Sequence, residues 1–132
     1  MIPRPNLARL RGDESGASAI EAAIVLPVLL SLSLGLIDAS RMLWIQNSLQ
    51  DAVDAAARCA VVNATTCGDN AKTASYAAAQ MPGIPVAASN FTASTATCGK
   101  KVTASYTFSS QVAGLVPVSL NLTADSCRAN PS

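Results

Sequence analysis

The sequence predicts an α+β protein: a long N-terminal helix, partly transmembrane, followed by a small disulfide-bonded domain with a short helix and an antiparallel β-sheet. Three observations carry this. From Ala17 to Ile37 the chain runs without Lys or Arg for about 21 residues, roughly 30 Å as a helix and so the thickness of a bilayer's hydrocarbon core. Beyond Asp38 the pattern stays helical but turns amphipathic. Past Asn63 the composition shifts to Thr, Ser, Gly and Asn, and three stretches alternate with the period of strands.

In chain order, residues 1–16 hold Arg4, Arg9 and Arg11 beside Pro3 and Pro5, with no apolar periodicity, and are expected to be a leader. Between Asp38 and Ala57 only Arg41 is basic, so the bias of Lys and Arg puts the N-terminus in the cytoplasm and the C-terminal part outside. A secretory signal peptide is disfavoured, because no A-x-A site follows the apolar run.

Residues 17–37 form the expected transmembrane half of the helix. Pro27 removes the amide that would bond the Ala23 carbonyl, a loss that membrane helices tolerate when neighbours compensate. Ser31, Gly35 and Ala39 fall four apart, a ridge of small residues on which another helix could approach. Residues 38–62 form the extracytoplasmic half, with Ile45, Leu49, Ala52, Ala56 and Ala60 on one stripe and Gln46, Asn47, Gln50, Asp54 and Arg58 elsewhere. One helix is expected to end near Val62, some 45 residues and about 68 Å long. Trp44 is either an anchor at the membrane interface or a protein contact.

Residues 63–132 form the small extracytoplasmic domain. Asp69 or Asn70 can cap a helix from Ala71 to about Gln80, which Met81-Pro82-Gly83 stops. Strands are expected at Asn90–Thr97, at Val102–Phe108 with Val102, Ala104, Tyr106 and Phe108 on one face, and at Val118–Ala124 with Val118, Leu120, Leu122 and Ala124 on one face. In an antiparallel pair the start of the Val102 strand and the end of the Val118 strand share an edge. Cys98 and Cys127 flank those points and are expected to be bonded, which leaves Cys59 to join Cys67.

Composition excludes several functions. A net charge of +1, with no basic cluster beyond Lys100 and Lys101, gives no footprint for nucleic acid. Without histidine, a phosphate loop, paired carboxylates in one segment, or a Ser or Cys with an evident base, the chain does not read as an enzyme, and no cofactor is expected. The cysteines form no C-x-x-C pair, so disulfides are favoured over a metal. Asn63-Ala-Thr65, Asn90-Phe-Thr92 and Asn121-Leu-Thr123 match the glycosylation pattern, which a Thr-rich chain produces by chance.

The segment Gly16-Ala17-Ser18-Ala19-Ile20-Glu21 resembles the processing site of type IV prepilins, cut after Gly with Glu at the fifth mature position. Glu21-Ala-Ala-Ile-Val-Leu-Pro27, Gly35-Leu-Ile-Asp38 and Ala55-Ala-Ala-Arg58 resemble more narrowly the TadE-like minor pilins, or pseudopilins, of tight-adherence (Tad) pili, over roughly Gly16 to Val62. A Gly114 and Pro117 loop between the last two strands is similar to the family's C-terminal pattern.

The resemblance implies cleavage between Gly16 and Ala17 by a prepilin peptidase, and a bacterial inner-membrane protein with a periplasmic or extracellular C-terminal domain. It implies partners among other pilins and inner-membrane pilus assembly proteins, with a role in pilus assembly, adhesion or biofilm formation. Ala17, Glu21 and Pro27 would be the assembly contacts, with Glu21 in the first turn of the mature helix and paired with a neighbour's terminal amine. The competing expectation is a stationary signal-anchored protein whose outer domain binds a partner.

Overall fold

The computed structural model describes residues 15–110 and 118–130; the expected leader through Glu14 and the Gly114 and Pro117 loop lie outside them. The chain divides into two units, Met1–Ile37 and Asp38–Ser132. Helix α1, Ser15–Val62, contributes to both.

In the first unit α1 makes no core. Every residue from Gly16 to Ile37 is exposed, including Ile24, Leu29, Leu32 and Leu36. An apolar helix that the described residues of its own unit leave uncovered suits another medium, and this one is long and apolar enough to cross a membrane. The helix assignment continues through Pro27. Just beyond it the Ser31 hydroxyl donates to the Pro27 carbonyl at 2.7 Å, and Ser33 to the Leu29 carbonyl at 2.8 Å, so both hydroxyls are satisfied inside the helix.

In the second unit the remainder of α1 is followed by α2 (Ala64–Cys67), α3 (Asn70–Ala79), a 3-10 turn at Ala88–Asn90, β1 (Phe91–Ala96), β2 (Gly99–Ser109) and β3 (Ser119–Arg128). The strands form an antiparallel sheet in the order β1-β2-β3, with Phe91 opposite Ala104 and Ala104 opposite Ala124. Its core joins Ile45, Leu49, Ala52, Val53, Ala56 and Ala57 of α1 to Val102, Ala104, Phe108, Leu122 and Ala124 of the sheet, with Ala74 and Ala77 of α3 and Phe91 closing it. Alanine at these helix positions lets the backbone come near the sheet, so a chain poor in aromatics still excludes water from its centre.

Boundaries and faces differ from the expectations in local ways. Helix α3 starts one residue early because the Asp69 carboxylate accepts the Lys72 amide at 2.7 Å. The turn α2 was not foreseen; Asn63 caps it by accepting the Thr66 amide at 3.0 Å. Val53 and Ala57 join the buried side of α1 while Ala60 is half-buried, so the buried face is wider than the expected stripe. β3 runs on to Arg128, whereas Val118 and Leu120 at its start are each 44 % exposed. No residue of α1 in this unit before Ile45 is buried, so the core fades toward that end.

Cys59 is bonded to Cys67 and Cys98 to Cys127, with Cα separations of 5.8 and 6.2 Å. The second bond ties the β1–β2 turn to the end of β3, where Gly99 sits at φ +120°. A Cβ there would lie 2.2 Å from the Arg128 carbonyl oxygen, so only glycine allows the two backbones this approach.

Candidate processing and assembly site

Gly16, Ala17 and Glu21 stand on the first turns of α1, all exposed. The structure begins the helix at Ser15, so its first turn contains no acidic residue and Glu21 lies in the second. The expectation of Glu21 in the first turn applied to a chain starting at Ala17; here the helix includes Ser15 and Gly16 as well. Among the described residues nothing calls for glycine at position 16. A Cβ built there meets no atom within 4 Å and its backbone is helical, where glycine costs about 1 kcal/mol against alanine.

Pro27 follows Glu21 by six residues on the same exposed helix. Its missing N–H leaves the Ala23 carbonyl without the usual i+4 donor. Gly16, Ala17, Glu21 and Pro27 are thus brought together by one helix rather than by a pocket. Among the described residues no three of His, Cys, Asp or Glu gather as metal ligands.

A second group of polar contacts, which sequence reasoning missed, lies in the Asp38–Ser132 unit. Gln46 donates its amide to the Thr123 carbonyl at 2.8 Å and Gln50 to the Asp125 carbonyl at 3.2 Å. Asp54 accepts the Ser126 hydroxyl and lies 3.9 Å from Arg128. Nearer the start of the unit Asp38 accepts the Ser110 hydroxyl and lies 3.7 Å from Arg41. Gln46, Gln50 and Asp54 form an i, i+4 row, and β3, an edge strand, follows that row so that its outward carbonyls meet side-chain donors. The spacing of four was the available signal.

The three Asn-x-Thr triplets also have structural duties. Asn63 caps α2, Asn90 accepts the Ala87 amide and donates to the Ser105 carbonyl, and Asn121 accepts the Ser105 hydroxyl.

A membrane-capable helix with a Gly-x4-Glu start, continued by a small disulfide-bonded α+β unit, defines a class of membrane-anchored protein. Residues 16–58 match the family model of TadE-like protein, and the resemblance seen in the motif holds over that segment. Neither the curated proteins nor the solved structures gave a match.

Proposed function

We propose that this chain is a minor pilin or pseudopilin of a Tad-type pilus, cut between Gly16 and Ala17 by a prepilin peptidase and drawn from the inner membrane into pilus assemblies. The observation that carries the reading is the Gly16 to Glu21 spacing at the start of an exposed apolar helix, inside the TadE-like segment. Gly16 has no structural duty in the helix, which fits a residue kept for a peptidase. Cleavage frees the Ala17 ammonium and brings Glu21 within a turn of the new helix end, where the helix dipole favours negative charge. A carboxylate on a helix in lipid costs up to about 3 kcal/mol unless it meets a cation, and the Ala17 ammonium of a neighbouring pilin supplies one. The protein performs no catalysis in this reading; residues 63–132 meet other pilins or a surface, and serve assembly, adhesion or biofilm formation.

Mass spectrometry of the membrane protein tests the proposal, with an N-terminus at Ala17 expected. An intact Met1 would favour a stationary signal-anchored binding protein. A start beyond Ile37 would favour a secreted one.

A further inference from the structure

A groove of about 340 Å³ opens within the Asp38–Ser132 unit, where three segments meet. Arg41, Trp44 and Ile45 of α1 form one side, residues 82–85 with their two prolines a second, and Tyr106, Phe108 and Ser109 near the end of β2 the third. That volume falls in the range of small-molecule sites, and the lining sets apolar and aromatic walls around a few polar groups. Ile45 and Phe108 are buried, whereas Trp44 is 70 % exposed and leaves most of an indole uncovered beside the groove.

Arg41 brings charge to this apolar lining. Its Nη1 lies 3.7 Å from Asp38, longer than a hydrogen bond, and its side chain is 44 % exposed. A guanidinium presents five donors in a fork that matches phosphate, so most of this fork is open to a second partner. The order of residues along α1 says which partner is within reach. Arg41 and Trp44 come four and seven residues after Ile37, about 6 and 10 Å of helix beyond the apolar run. A bilayer's polar layer adds roughly 5 to 8 Å outside the hydrocarbon on each side, which puts lipid phosphates at the level of Arg41. Long side chains on a helix lean back toward its N-terminus, here the direction of the apolar run.

We propose that this groove seats one phospholipid, with its phosphate on the Arg41 guanidinium and the start of an acyl chain along Trp44 and the two prolines. The bilayer presents phosphate and hydrocarbon side by side, the two chemistries that the groove combines. Arginine at the phosphates and tryptophan at the acyl boundary each lie where an interface favours them. The seat rests on the membrane part of the reading above and is independent of cleavage after Gly16. On the minor-pilin reading, giving up this lipid becomes a step in leaving the membrane.

Trp44 is the chain's one tryptophan, so its fluorescence reports on the groove. The full chain, purified from membranes into a sugar-headed detergent, is titrated with short-chain phosphatidylglycerol, and native mass spectrometry counts the lipids retained. A saturable change at one lipid per chain is expected. Arg41→Gln should weaken it roughly tenfold or more, Arg41→Lys less, and Ser109→Asp, which sets a carboxylate at the exposed rim, should also weaken it. A change that never saturates, or that both Arg41→Gln and Ser109→Asp leave intact, would overturn the seat and reduce Trp44 to a residue at the detergent surface. An equal response to inorganic phosphate would make the groove a free-anion site, and an equal response to short-chain diacylglycerol would remove the phosphate from the argument; either overturns the proposal. So would a photoreactive residue at Pro85, in intact membranes, that captures only protein. The N-terminus is read in the same preparation. A start at Ala17 without a seated lipid sinks the seat alone, and a start at Met1 with one sinks the cleavage alone.

Discussion

Glu21 and Asp54 are carboxylates on one helix with opposite surroundings. Asp54 is held by the chain itself, through the Ser126 hydroxyl and the Arg128 guanidinium. Ser126 is 9 % exposed, so Asp54→Ala leaves a largely buried hydroxyl without its acceptor, at a cost of about 1 to 2 kcal/mol. Thermal denaturation should show a fall of about 4 to 8 °C per kcal/mol for a unit of this size. Arg128→Ala should cost under about 1 kcal/mol, since that pair is long and both side chains are roughly half exposed. Glu21 has no such shelter among the described residues of its unit: it is exposed on a helix that they leave uncovered. On the minor-pilin reading proposed above, Glu21→Ala is expected to insert in membranes at least as well as the wild type, yet to be recovered with sheared pili roughly 10²-fold less, because a neighbour's ammonium would be stranded away from water. A control for leader cleavage separates assembly from processing. Normal cleavage with normal incorporation would reduce Glu21 to an interfacial residue.

Among the elements, α1 organises the second unit through two neighbouring sides. Its apolar side fills the core, and Leu49, at 0 % exposure, is the largest side chain it buries there completely. Leu49→Ala should therefore cost about 2 to 5 kcal/mol, a large share of the stability of a unit of this size, read as a lower thermal midpoint. Beside it, Gln46 and Gln50 cover outward carbonyls of β3. Replacing both with alanine removes two hydrogen bonds that water replaces in part, so the loss should be near 1 to 2 kcal/mol, read as a lower midpoint in urea. The same variant should aggregate more readily, because an uncovered strand edge is a template for pairing. At the β1–β2 turn the constraint is steric. Gly99→Ala combines a positive φ with a Cβ inside the Arg128 carbonyl, and should destabilise more than the roughly 1 kcal/mol of an ordinary left-handed position.

At the scale of the whole molecule, the disulfides divide their contribution by loop length. Cys59 and Cys67 are 8 residues apart and Cys98 and Cys127 are 29, so in the chain-entropy picture the longer loop stabilises by about 1 kcal/mol more. Paired Cys→Ser variants, compared by thermal denaturation, should show the larger fall for Cys98 and Cys127; equal falls would mean that the bonds act through the folded state. The order of elements was legible in the residues because it follows from local periodicities: an apolar run of membrane length, a helical stripe from Ile45 to Ala56, and period-two alternation around Val102 and Leu122. The Gly-x4-Glu motif was legible for the same reason, since its members share one helix and need no fold to meet. Which polar residues of α1 face protein was not legible. Gln46 and Asp51 look alike as members of a polar helix face, yet one meets the carbonyl of Thr123, 77 residues away, and the other faces solvent. Sequence spacing determines which residues share a face of a helix, whereas the partner of that face depends on where the sheet's edge comes to rest, and only the packing of distant segments decides that.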